Sequence, residues 1–139
     1  MTELEVAGTF IFTTLRDDPS IANLVEDRIY EDVAPQPAMF PLIVFSCSSS
    51  RDIVGASATR LATAPNYLVR AIGRSSGGSD YAAIDPIAER IDELLHGARA
   101  KMDGGTILSA IRDEPFSMVE SDGATIYCHR GGIYRLMIH

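Results

Sequence analysis

Apolar residues near the start of the chain recur at helical spacing. They lie three or four positions apart, which predicts a helix from about Glu3 to Arg16 with one buried face. The run from Thr2 to Glu5 has the T-x-x-E form of a capping box, so the helix is expected to begin there. Asp18 and Pro19 predict the cap and first turn of a short second helix through about Leu24. The predicted stripe of the first helix consists of Leu4, Ala7, Ile11 and Leu15.

A second amphipathic helix is predicted in the second half of the chain. Ser79 or Asp80 is its expected cap, and it should run to about His96, with Gly97 as its stop. Its apolar face contains Ile84, Ile87, Ala88, Ile91, Leu94 and Leu95. Its expected water-facing side contains Glu89, Arg90, Asp92 and Glu93.

Four β-strands are predicted. A β-branched and aromatic run from Leu42 to Cys47 favours a strand buried on both faces, and the alternation from Tyr67 to Ile72 predicts an antiparallel partner. Residues 106–112, resuming at 116–120, predict a third strand. Asp122-Gly123 is a strong hairpin turn signal. Residues 124–138 are predicted to return as a fourth strand, either continuous or broken at Gly131-Gly132.

Two segments lack a clear periodic pattern. Residues 25–41 are acidic and proline-containing, so we expect an extended connector with little regular structure. Residues 48–60 are small and polar and are expected to form a loop or a flexible hairpin tip. The sequence therefore predicts a single α+β domain over residues 1–139, with the order α-β-β-α-β-β. We expect a mainly antiparallel four-stranded sheet with two main helices packed on one face.

The last predicted strand is apolar on both faces. Ile133 and Met137 point one way, while Tyr134, Leu136 and Ile138 point the other. Helices can cover one face of such a sheet, so the other face is expected to need a neighbouring subunit.

Composition narrows the class of partner. Twelve basic and 19 acidic residues give a formal net charge of −7, which disfavours nucleic acid as a general partner. The two cysteines lack a C-x-x-C spacing and no signal peptide is recognised, so a reducing cytoplasm is the expected setting. The apolar stretch at residues 6–15 is too short to cross a bilayer, and we expect no membrane insertion.

Catalytic and ligand-binding chemistry finds little support in the sequence. The Gly/Ser-rich residues 73–79 precede the predicted helix, but they lack the lysine of a P-loop and the G-x-G-x-x-G pattern. No framing motif for a nucleophile occurs. We expect no catalytic residue, no cofactor and no metal site, although a small-ligand-binding α+β domain remains an alternative. The residues considered as metal ligands and set aside are His96, His129, His139, Cys47 and Cys128.

Three phrases of the sequence resemble a known family. Residues 24–30 read L-V-E-D-R-I-Y, residues 33–36 read V-A-P-Q and residues 40–45 read F-P-L-I-V-F. This order resembles the tail-completion and tail-terminator proteins of tailed bacteriophages, over nearly the whole chain. The long Ala/Ser/Thr-rich stretch at residues 46–64 departs from the family pattern.

The resemblance implies a structural virion protein and no enzyme. It implies a ring, typically a hexamer, that is assembled in the host cytoplasm, caps the tail tube and joins it to a head-completion or connector protein. DNA would pass through the ring lumen without specific binding. The alternative within virion assembly is a head-completion or neck (stopper) protein. The expected subunit or partner interface comprises Arg51, Asp52, Ile53, Val54, Arg60, Leu61, Tyr134, Leu136 and Ile138.

Overall fold

The computed structural model describes all 139 residues and contains three helices and six strands. The helices are α1 (Glu3–Arg16), α2 (Pro19–Val25) and α3 (Asp85–Leu95). The strands are β1 (Ile29–Glu31), β2 (Leu42–Val54), β3 (Arg60–Ser75), β4 (Ala100–Met102), β5 (Gly105–Asp122) and β6 (Thr125–Ile138). No helix is both long enough and apolar enough to span a membrane.

The strands form one mixed sheet in the order β1-β2-β3-β6-β5-β4. Strand β1 is parallel to β2, and every other neighbouring pair is antiparallel. The sheet curls into a half-barrel. The predicted four-stranded sheet with two main helices is therefore wrong, although its four strands exist. The prediction missed β1 and β4 because each has three residues, too few to show a hydrophobic alternation.

Helix α1 forms where the capping box predicts it. The Thr2 hydroxyl accepts a hydrogen bond from the Glu5 amide at 3.2 Å, and the Glu5 carboxylate accepts one from the Thr2 amide at 2.6 Å. The buried face differs from the predicted stripe, because Leu4 is exposed. The residues that α1 buries are Val6, Ala7, Gly8, Phe10, Ile11 and Leu15.

Helix α2 is capped as predicted and is tied to α3. The Asp18 carboxylate accepts hydrogen bonds from the Ile21 amide at 3.0 Å and from Nη2 and Nε of Arg90 at 2.7 and 3.1 Å. The hydrogen bonds from Arg90 hold the pKa of Asp18 below its usual value, although burial opposes them. Arg90 was expected to face water. It instead joins α3 to α2, which the sequence pattern could not show because its partner Asp18 lies 72 positions away in the chain.

Helix α3 starts later than predicted. Its N-cap is Ile84, which forms no side-chain cap, so the expected caps Ser79 and Asp80 are wrong. Pro86 in the first turn favours the start at this point. Ile87, Ile91 and Leu95 are buried against the sheet, as their spacing predicted.

All three helices pack on the same face of the sheet. The main core lies between them and the strand residues Ile43, Phe45, Tyr67, Val69, Ala71, Ile107, Ala110, Cys128, Tyr134, Leu136 and Ile138. The other face is covered only at one end, by the proline-containing connector at residues 32–41. There Ala34, Ala38 and Phe40 of the connector pack over Leu42, Val44 and Ile72. The rest of this second face carries no helix, and we call it the open face.

Candidate subunit interface

The β2–β3 hairpin extends past the body of the sheet. Strand β3 pairs with β6 only as far as Thr63, opposite Ile138, whereas β2 and β3 remain paired up to Val54 and Arg60. We call residues 51–62 the arm. The stretch predicted as a loop or a flexible hairpin tip is thus the end of a hairpin and is mostly strand. Pairing between β2 and β3 outweighs the low strand preference of its small and polar residues.

The arm exposes both apolar and charged side chains. Val54 and Leu61 are 58% and 52% exposed. Arg60 lies 3.4 Å from a Glu3 carboxylate oxygen of α1 and 3.5 Å from one of Asp52, so it connects the arm to the body. Asp52 also accepts a hydrogen bond from the Thr63 hydroxyl at 2.8 Å. Arg51 is exposed and forms no salt bridge, and its charge is free for a partner.

The structure places the nine expected interface residues in two separate groups. Six of them lie together in the arm: Arg51, Asp52, Ile53, Val54, Arg60 and Leu61. The other three, Tyr134, Leu136 and Ile138, are 1% exposed and pack under the helices. The prediction separated the two faces of β6 correctly, but it assigned the interface to the face that packs under the helices. These three residues belong to the core, and Ile133 and Met137 lie on the face without helices.

The open face carries a row of four side chains across four strands. The strand register aligns Ser46 of β2, Leu68 of β3, Ile133 of β6 and Glu114 of β5. Leu68 and Ile133 are half-buried, and Glu114 is exposed without a salt-bridge partner. Phe116 and Met118, further along β5, are also half-buried. The sequence does not reveal this row, because its members become neighbours only through pairings between distant segments.

Two nitrogen-bearing side chains on the open face lack acceptors. The buried Nε of Arg70 has no hydrogen-bond partner, and burial lowers the pKa of this guanidinium. His129 is 3% exposed, and burial, followed by the nearby charge of Arg70, lowers its pKa. A Glu120 carboxylate oxygen lies 2.7 Å from Nε2 of His129, but the geometry does not meet that of a hydrogen bond. The contact is not a full salt bridge, because burial favours the neutral imidazole.

The residues weighed for other chemistry lie apart. No group of three or more His, Cys, Asp or Glu side chains is placed to hold a metal ion. Cys128 is buried, which is usual for a free cysteine, whereas Cys47 is exposed. Residues 73–75 of the Gly/Ser-rich stretch belong to β3, and α3 begins only at Asp85. The stretch therefore does not lead directly into the N-terminus of α3.

A projecting arm and a sheet face without helices are features of a protein that acts by contacting other proteins. Comparison with known families shows which class of protein this is. The model of the family described as "Tail completion protein gp17" matches residues 9–128. The chain belongs to this family, and it is a structural tail-completion protein of a phage-type virion.

Comparison with solved structures supports the fold. A chain from the virion of a native gene transfer agent particle superposes with a TM-score of 0.77 at 17% sequence identity, and 96% of each chain is covered. At this identity the likeness shows a shared fold. No curated protein sequence matches significantly.

Proposed function

We propose that this protein forms a closed ring, a hexamer by analogy with the family it resembles, that caps the head-proximal end of the tail tube. The ring would present its other side to the head connector, at the junction of head and tail. The observation that carries the proposal is the arm: a two-stranded projection that extends beyond the pairing of β3 with β6 and exposes apolar and cationic side chains.

A ring needs two different surfaces on each subunit, so that each copy contacts one neighbour on either side. The arm projects beyond the end of the sheet, and the open face extends across β2, β3, β6 and β5. A repeated contact between two different surfaces of a subunit either closes into a ring or continues as a filament. The capping role requires the closed form.

The direct test is the mass of the purified protein, alone and mixed with its tail-tube protein, by native mass spectrometry. We expect one closed oligomer in at least one of the two conditions, with a mass that gives the ring symmetry. A monomer in both conditions would refute the ring. Binding to the connector protein but not to the tube protein would instead indicate a head-completion or neck protein.

The role of the arm is tested by the variant Val54→Ser/Leu61→Ser. Both side chains are more than half exposed, so the variant should keep the melting temperature of the free subunit and lose the ring. The matched control is Val119→Ser, because Val119 is 49% exposed on β5. Its pairing partner Cys128 lies opposite Gly73, at the end of β3 that is remote from the arm. A ring that survives the arm variant as well as the control would remove the arm from the interface.

A further inference from the structure

The arm and residues 113–122 of β5 carry opposite net charges. The arm contains Arg51 and Arg60 against a single carboxylate, that of Asp52. The β5 segment at residues 113–122 contains four carboxylates and no basic residue. Opposite potentials on two surfaces favour and orient their association.

Two members of these surfaces lack a partner within the chain. Arg51 in the arm and Glu114 on the open face take part in no salt bridge. They cannot meet in one subunit, because three strand-to-strand steps separate β2 from β5, which is about 14 Å. The register adds an offset of four residues along the strands, which is about 13 Å. A contact between them therefore requires a second copy of the chain.

The apolar side chains on the two surfaces also match. The arm offers Val54 and Leu61, both exposed, and the open face offers Leu68, Phe116 and Ile133, all half-buried. Exposed apolar groups that are rimmed by charges are typical of protein contacts. Arg70, whose Nε lacks an acceptor, lies in the adjacent row of the open face, opposite Val44 and Gly131.

We propose that the open face is the binding site for the arm of the next copy in the ring. Val54 and Leu61 of one copy pack on Leu68 and Ile133 of its neighbour, and Arg51 pairs with the neighbour's Glu114. This inference rests on the proposed ring and specifies its contact. The contact joins the arm of one subunit to strands β3, β6 and β5 of the next, which are two different surfaces, as a head-to-tail ring requires.

Charge reversal tests the pairing of Arg51 with Glu114. The single variants Arg51→Glu and Glu114→Arg each place like charges across the contact, and each should raise the protein concentration at half-assembly by about tenfold or more. The double variant Arg51→Glu/Glu114→Arg should restore assembly. An equimolar mixture of the two single variants should also assemble, because each supplies the complement of the other.

Two controls separate this contact from a general effect of charge. Arg99→Glu and Asp27→Arg make the same charge changes at exposed positions without salt-bridge partners, and they should leave assembly unchanged. Melting temperatures of all free variants show whether they fold. A wild-type ring that persists in both single reversals would overturn this inference and leave the proposed ring intact. Failure of both the double variant and the mixture to recover assembly would also overturn it. A wild-type protein that is monomeric with and without tube protein would overturn the proposed function itself.

Discussion

Gly131 in β6 offers the sharpest test of the sheet as described. A Cβ atom at this position would overlap the carbonyl oxygen of Val69 and lie 2.6 Å from Cα of Arg70, both on the neighbouring strand β3. Carbon atoms in ordinary contact lie about 3.5–4.0 Å apart, so β3 would have to retreat by about 1 Å. Because both strands lie in the middle of the sheet, the movement cannot be absorbed by a side chain.

We therefore expect Gly131→Ala to lower the free energy of unfolding by about 3 kcal/mol or more, at the upper end of overpacking effects. Gly132→Ala is the neighbouring comparison, since its nearest atom is Cδ of the flexible Arg112 side chain, at 2.7 Å. That variant should lose about 1 kcal/mol. Gly77→Ala is the neutral control, because no atom lies within 4 Å of the added Cβ.

Urea unfolding monitored by circular dichroism measures all three variants. The midpoint should fall strongly for Gly131→Ala and hardly for Gly77→Ala, with equal slopes against denaturant. If Gly131→Ala stays within about 1 kcal/mol of the wild type, or loses less than Gly132→Ala, the close approach of β6 to β3 is not present in solution.

Three further changes have defined outcomes in the same urea assay. Asp18→Ala should cost at least about 1 kcal/mol, because it removes a helix cap and the acceptor of Arg90; an unchanged midpoint would contradict this. Tyr134→Phe should cost about 1 kcal/mol, because the Tyr134 hydroxyl donates to Asp92 at 3.0 Å; stabilisation would show that this hydrogen bond is unimportant. Wild-type stability should fall below about pH 6.5, because His129 takes up a proton more readily in the unfolded chain. His129→Gln should flatten that fall, and an identical pH profile would exclude His129 as its source.

Local signals in the sequence were sufficient for several elements. The Thr2–Glu5 capping box, the Asp18–Pro19 start of α2 and the Asp122-Gly123 turn each depend on groups within a few residues of one another. The Gly123 backbone has the positive φ of 62° that its turn requires. These features were predicted correctly because short-range hydrogen bonds and backbone angles decide them.

Long-range pairing decided the features that were missed. Strand β1 joins the sheet only through its parallel pairing with β2, across the connector of residues 32–41. The start of α3 could not be read from Ser79 or Asp80, because neither side chain caps it. The unusual Ala/Ser/Thr-rich stretch singled out the six arm residues, and their place in an interface stays a prediction. The open face was not singled out, since the alignment of Leu68, Ile133 and Glu114 depends on registers that no local pattern encodes.

The central place of β6 affects when a newly made chain becomes able to assemble. This strand is the last of the six in chain order, yet it lies between β3 and β5 and is the only link between the two halves of the sheet. Until β6 leaves the ribosome, no strand pairs the half of the sheet that carries the arm with the acidic strand β5. The arm and the open face therefore become fixed relative to each other in one late step. If the proposed ring forms, incomplete chains lack the geometry to add to it, so synthesis itself selects complete subunits.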